Sequence, residues 1–250
     1  PARRGEFPLP SLMMSVTALA LFLILAQVVT VSSKLYELNQ QVLAWFALLR
    51  QPLLDLPMVA FTLAGDPPVL IVAAVLGFLA LVFRGYYAAA IHVAAAAILA
   101  SGSIWLLKAG FGIPRPDTVM LPPSSGAFPS GHTAGATVLV TLCASFIAAE
   151  SRQRQRWQSY VLLSLPLLPV ALSRLYLGVH WFTDVLGGLF LGLAITGVIR
   201  ASYSRYDRVP LSPDPFTWAA LGLWLAFTAV YMASHWDGAV LAYSPQPVTP

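Results

Sequence analysis

The sequence predicts an all-α fold, a polytopic membrane helical bundle, and three observations carry that prediction. Of 250 residues, 58% are hydrophobic and only 10% charged, with a mean hydropathy of +0.75, a composition outside the range of soluble globular chains. Apolar runs recur at the length of about 20 residues that crosses a hydrocarbon core of about 30 Å. Lys and Arg collect at the ends of these runs rather than within them, where they escape the cost of burial in lipid.

The first run, 11–31, follows Arg3 and Arg4. It is long for a signal peptide and lacks a small-x-small cleavage site after it, so it reads as a retained anchor. The chain opens on Pro1 rather than Met, which points to a longer parent chain with room for an unseen N-terminal domain. In 34–50, Leu35, Leu38, Val42, Trp45, Phe46 and Leu49 recur near helical spacing, giving an amphipathic helix either in the outer membrane interface or against the bundle. Asp66, Pro67 and Pro68 read as a helix cap followed by proline in the first turn. Asp66 is therefore expected to cap rather than catalyse.

Further spans are expected at 68–83, 86–107, 132–149, 160–177, 183–199 and 216–233. His92 reads as a packed or hydrogen-bonded helix residue, and Cys143 as packing. Gly188 and Gly192 form a GxxxG that signals close helix packing more than dimerisation. The whole of 1–250 forms a single domain, with a core of about 11–199 and an additional span at 216–233 to which the sequence gives no role.

With the N-terminus inside, the cytoplasmic segments hold Arg3, Arg4, Arg84, Arg152, Arg154, Arg156, Arg200, Arg205 and Arg208, nine of the fourteen basic residues. The positive-inside rule then places the opposite ends toward the periplasm or exterior of a cell (inner) membrane. Topology accounts for the net charge of +4, and no nucleic-acid partner is implied.

Three motifs lie on that outer face: KAGFGIPRP (108–116), PSGH (129–132) and SRLYLGVHWFTD (173–184). In the first, Gly110, Gly112 and Pro114 let the chain turn back so that Lys108 and Arg115 converge. A guanidinium fork pairs with two phosphate oxygens and an ammonium acts as a point charge. In the second, the Gly131 and His132 amides open a helix, a natural anion site. Ser130 adds a hydroxyl either to that anion or to the helix cap, and His132 stands where it could protonate a departing oxygen. In the third, Arg174 ends a span and Asp184 follows His180 by four residues, one helical turn. Asp184 can then fix the tautomer of His180 and leave its other nitrogen free to attack.

The pattern K-x6-RP, PSGH, SR-x5-H-x3-D resembles the type 2 phosphatidic acid phosphatase family, related to the vanadium haloperoxidases and bacterial acid phosphatases. The resemblance implies a six-helix core and an integral membrane lipid phosphatase. Lys108, Arg115, Arg174, Ser130 and the Gly131 amide would hold the phosphate. His180 would become a phosphohistidine, oriented by Asp184, and His132 would protonate the leaving group and then activate water. No cofactor and no metal enter this scheme.

Competing phosphatase designs lack their parts. A cysteine phosphatase needs arginine six positions after its nucleophile, where Cys143 is followed by Ala149, and the ten acidic residues are scattered rather than clustered for two metals. A site at the mouth of a helical bundle can take a headgroup while the tail stays in the bilayer. The expected substrate is therefore a membrane lipid phosphate or pyrophosphate: undecaprenyl pyrophosphate, phosphatidylglycerol phosphate or phosphatidic acid. Alternatives are a lipid A phosphatase and a non-hydrolytic lipid-phosphate transporter, which leaves the His180–Asp184 spacing unexplained. A vanadate-dependent haloperoxidase fits the anion pocket but not the multispan setting. The loop 118–127 is expected to cover the site and help choose the headgroup.

Overall fold

The computed structural model describes residues 8–150, 155–204 and 214–246, with no side-chain account of 148–150 and 156. Ten helices are described: α1 Leu9–Val28, α2 Ser33–Leu49, α3 Pro52–Ala64, α4 Pro67–Phe83, α5 Tyr87–Phe111, α6 Gly131–Glu150, α7 Arg156–Ser164, α8 Leu167–Tyr176, α9 Phe182–Tyr203 and α10 Pro215–Ala242. By length and composition α1, α5, the α7–α8 pair, α9 and α10 can each cross a membrane. Of the expected cytoplasmic charges, Arg3, Arg4, Arg152, Arg154, Arg205 and Arg208, and the side chain of Arg156, lie outside the described residues.

Helix α9 is the axis of the bundle and carries more buried residues than any other described helix. A side chain at Gly188 would strike the Ser130 carbonyl and one at Gly192 would strike Thr137, while Gly197 lies against Ser11 and Ser15 of α1. The GxxxG thus serves packing within the chain, letting α6 and α1 approach α9 at backbone distance. Ser15 donates to the Ala194 carbonyl (2.7 Å) and Thr141 pairs with Thr196 (2.8 Å), satisfying hydroxyls that would otherwise be buried alone.

Three expectations change. The second span is the latter half of a longer element: α3 and α4 pass the length test only together, bent by 44°. Pro67 and Pro68 lack the N–H groups that would continue the helix, so the break falls at Asp66. Helix α3 itself was not anticipated. Span 160–177 divides at Pro166 into α7 and α8, for the same reason. Cys143 is exposed on α6 rather than packed, since a thiol is apolar enough to face lipid.

His92 is buried and hydrogen-bonded to Ser202 (3.0 Å) and to the Ala88 carbonyl (2.6 Å), as the sequence suggests. Helix α2 forms as expected. Its Asn39 is buried, donating to the Thr183 hydroxyl (3.0 Å) and accepting the Thr183 amide (3.1 Å). One face of α2 thus docks on the start of α9, while Tyr36, Trp45, Leu48 and Leu49 on the rest of its surface stay exposed.

Candidate active site

The three motifs meet at one end of the bundle because a helix terminus supplies each. Lys108 lies in the last turn of α5, and Gly112 closes that helix at φ +56, a left-handed cap that costs glycine little. The chain then returns across the site, with the Ala127 amide bonded to the Ile113 carbonyl (2.8 Å). The Ser130 amide donates to the Asp184 carbonyl (2.9 Å), which joins the start of α6 directly to the first turn of α9. That bond needs the close approach made by Gly188.

His180 is 2% exposed and held at both ring nitrogens. Its Nδ1 donates to Asp184 Oδ2 (3.1 Å), which also accepts the Trp181 amide (2.8 Å). Its Nε2 accepts from Arg115 Nη1 (2.9 Å). A guanidinium has no lone pair to offer, so Nε2 must carry one. The arrangement selects the tautomer protonated on Nδ1, with Nε2 facing the cations.

Burial, then the charges of Arg174, Arg115 and Lys108, push the His180 pKa well below 6.5. Because the folded value is lowered, the neutral ring persists as pH falls through the usual histidine range. With the second ionisation of the phosphate, at about 6, divided out, kcat/KM is expected to show no acid-side inflection at 6.5. An inflection there would contradict a neutral, desolvated His180.

Arg115 also donates to the carbonyls of Val179 (2.8 Å) and Ser125 (2.9 Å). Burial, then the charge of Arg174, lowers its pKa to about 10, so it remains cationic at neutral pH. Lys108 Nζ bonds the Gly126 carbonyl. Arg174 is 1% exposed and bonded to the Thr62 hydroxyl and to Tyr243 Oη (3.3 Å). Its Nε is buried without a partner among the described residues, an unusual state for a charged donor. The cations thus rest on neutral oxygens that an anion could replace.

Ser130 resolves toward the cap. Its hydroxyl is fully buried and bonded within α6 to Thr133 Oγ1 (3.1 Å), and it is absent from the residues lining the cavity, which include Gly131 and His132. The expected hydroxyl contribution to the anion site is not met in this geometry, because the buried helix start claims it.

Asp66 corrects the sequence reading in the other direction. It occupies the N-cap position of α4 but makes no side-chain cap bond. Its carboxylate instead pairs with His132 Nε2 (2.5 Å) and accepts from Tyr231 Oη (3.0 Å). The signal was present in the sequence: Asp66 is the sole charged residue between Asp55 and Arg84, and an isolated charge in an apolar stretch points to function. Tyr231, Tyr243 and Thr62 also went unforeseen.

A cavity of about 600 Å³ joins these groups to a row of apolar side chains. Its polar end holds Asp66, Lys108, Arg115, His132, Arg174, His180 and Tyr243. Its apolar length runs between α4, α5 and α6, past Leu70, Ile71, Ala97, Ile104, Val138 and Leu142. The loop 118–127 does overlie the site, with Pro123 and Ser125 in the wall. It is tethered to the end of α10 by Met120 and Leu121 amides on the Ser244 and Ala242 carbonyls (3.0 and 3.1 Å).

Residues 85–208 match the PAP2 superfamily. Phosphatidylglycerophosphatase B of Bacillus subtilis is 33% identical over 97 residues, 38% of this chain and 48% of that protein. A putative undecaprenyl-diphosphatase of Escherichia coli is 39% identical over 67 residues, 27% of this chain and 30% of that protein. These alignments thus span half or less of the relatives' length. The crystal structure of a transmembrane PAP2-type phosphatidylglycerolphosphate phosphatase from Bacillus subtilis superposes with a TM-score of 0.68 at 26% identity, covering 78% of this chain and 98% of that one.

Proposed function

The chain belongs to the PAP2 superfamily, matched over residues 85–208, and from that premise we propose that it is a metal-independent membrane phosphatase acting on a lipid phosphate or pyrophosphate. The observation that carries the proposal is His180 Nε2, its lone pair turned toward Arg115 with Asp184 behind the ring, at the polar end of an apolar cavity. A transporter would need the cations but not a histidine whose tautomer is fixed in this way.

In the first half-reaction Arg115, Lys108 and Arg174 leave their neutral oxygens for those of the phosphate, joined by the Gly131 amide. His180 Nε2 attacks phosphorus as the bond to the lipid oxygen breaks. The leaving oxygen takes a proton from His132 in the imidazolium form, which the arriving phosphate anion favours. Asp184 accepts a hydrogen bond from Nδ1–H and stabilises the charge that builds on the ring. In the second half-reaction the now neutral His132 removes a proton from water attacking the phosphohistidine. Inorganic phosphate departs, and both histidines return to their starting states.

The apolar part of the cavity would seat the lipid segment next to the headgroup, the rest of the tail remaining in the bilayer. Undecaprenyl pyrophosphate, phosphatidylglycerol phosphate and phosphatidic acid are the leading substrates, with lipid A phosphate as the alternative. The first two are supported by what the relatives are named for. The cytoplasmic bias of the basic residues supports a site facing the periplasm or exterior of the inner membrane.

Detergent-purified protein should release phosphate from at least one of these lipids in the presence of a metal chelator. Loss of all release on chelation would overturn the metal-independent scheme. Absence of release from every lipid would overturn the phosphatase reading.

A further inference from the structure

Helix α10 lies beyond the superfamily match, which ends at residue 208, yet it is fixed to the bundle along its length. Asp214 at its start pairs with Arg84 (2.5 Å), Trp224 Nε1 donates to the Val69 carbonyl (3.2 Å), and the chain after it bonds the loop over the site. Between these anchors, Tyr231 is stacked between Phe227 and His235, with ring centroids at 5.9 and 4.1 Å. The phenol is thereby held in one orientation, toward Asp66.

We infer that α10 is a working part of the active site, in which Tyr231, acting through Asp66, positions His132 for proton transfer to the leaving group. The inference rests on the phosphatase reading above and adds to it two positioning residues and the role of the additional span. Three elements meet in one chain of bonds: Tyr231 of α10 donates to Asp66 Oδ2 (3.0 Å), and Asp66 Oδ1 receives His132 Nε2 (2.5 Å) at the start of α6. Among the described residues each carboxylate oxygen has one side-chain partner, so the carboxylate plane is set and the His132 ring with it.

This fixes the proton inventory. The Nε2–H of His132 stays with Asp66 throughout, leaving Nδ1 as the nitrogen that gives its proton to the leaving oxygen and later takes one from water. Neither Asp66 nor Tyr231 gains or loses a proton. Imidazolium His132 would otherwise share a partly desolvated site with Arg115, Arg174 and Lys108. Asp66 supplies the compensating negative charge, as carboxylates do for catalytic histidines elsewhere.

The test compares two esters cleaved in one anion pocket: a lipid phosphate monoester, whose alkoxide cannot depart without a proton, and 4-nitrophenyl phosphate, whose phenolate can. On the lipid ester, Tyr231→Phe in the full chain is expected to lower kcat about 10-fold and Asp66→Asn at least about 100-fold, within the range of general acid catalysis. KM should stay within about twofold, and the first-turnover burst of 4-nitrophenolate, the half-reaction that needs no proton from His132, should keep its rate within about threefold. Tyr231→Phe should add nothing in the Asp66→Asn background, because it acts through Asp66.

Equal losses in lipid-ester kcat and in the rate of the aryl burst, or additive effects in the double variant, would mean that α10 merely supports the fold and would overturn the inference alone. If Asp66→Asn fails to fold, Tyr231→Phe, which removes a single hydroxyl, decides by the ratio of lipid-ester kcat to aryl burst rate. Failure of the wild type to cleave the lipid ester would overturn the phosphatase reading itself, and the inference with it.

Discussion

His180→Ala is expected to abolish lipid phosphate hydrolysis, with kcat falling at least about 10⁴-fold, the scale on which removing a nucleophile from a cooperating unit acts. The imidazole supplies the attacking atom, and among the described residues no second nucleophile stands in its place between Arg115 and Asp184. The variant also leaves Asp184 buried with the Trp181 amide as its side-chain partner, which costs about 1–3 kcal/mol. Some loss of thermal stability is therefore expected and must be separated from loss of chemistry. Two readouts do so. Wild type quenched in alkaline detergent should hold base-stable, acid-labile phosphate after brief exposure to labelled substrate, and the variant should hold none. Millimolar imidazole, entering the space left by the ring, should restore a measurable fraction of turnover. Turnover retained by the variant without imidazole would overturn the assignment of His180.

The motif geometry was legible because it is local. The four-residue step from His180 to Asp184 is one turn, and helix ends supply Lys108, Gly131 and Arg174 wherever the spans begin and stop. The order of spans was readable from hydropathy for the same reason. Asp66 was misread because its neighbours Pro67 and Pro68 do mark a helix start, and the sequence alone gives the cap and the charge partner the same position. What decides between them is Tyr231, 165 positions away, and such a pairing leaves no periodic trace. Ser130 shows the converse: two roles were open, and burial of the α6 start chose the cap. The division of α3 from α4 was likewise hidden, since a long apolar run does not say where its backbone bends.

Arg174→Met should separate binding from stability in opposite directions. Arg174 is 1% exposed, and among the described residues it has no ion-paired carboxylate; its partners are the Thr62 hydroxyl and the hydroxyl and ring of Tyr243, the ring centroid at 5.5 Å. A buried cation supported by neutral groups forfeits several kcal/mol of hydration, and an apolar side chain of similar volume in such a place is often neutral or stabilising. The empty protein carrying Arg174→Met is accordingly expected to melt no lower than wild type, with a gain of about 1 kcal/mol or more. Once phosphate arrives the balance reverses, because the fork of Arg174, including the unpartnered Nε, can meet two oxygens at once. Loss of such a donor from a desolvated site costs about 10²–10³-fold in kcat, and kcat/KM should fall further as binding weakens. Arg174→Lys should not rescue it, since an ammonium lacks the planar fork. The sharpest readout is orthovanadate, which should raise the melting temperature of wild type and leave that of Arg174→Met unchanged. A variant that melts well below wild type yet keeps its activity and its response to vanadate would show that Arg174 supports the bundle rather than the phosphate.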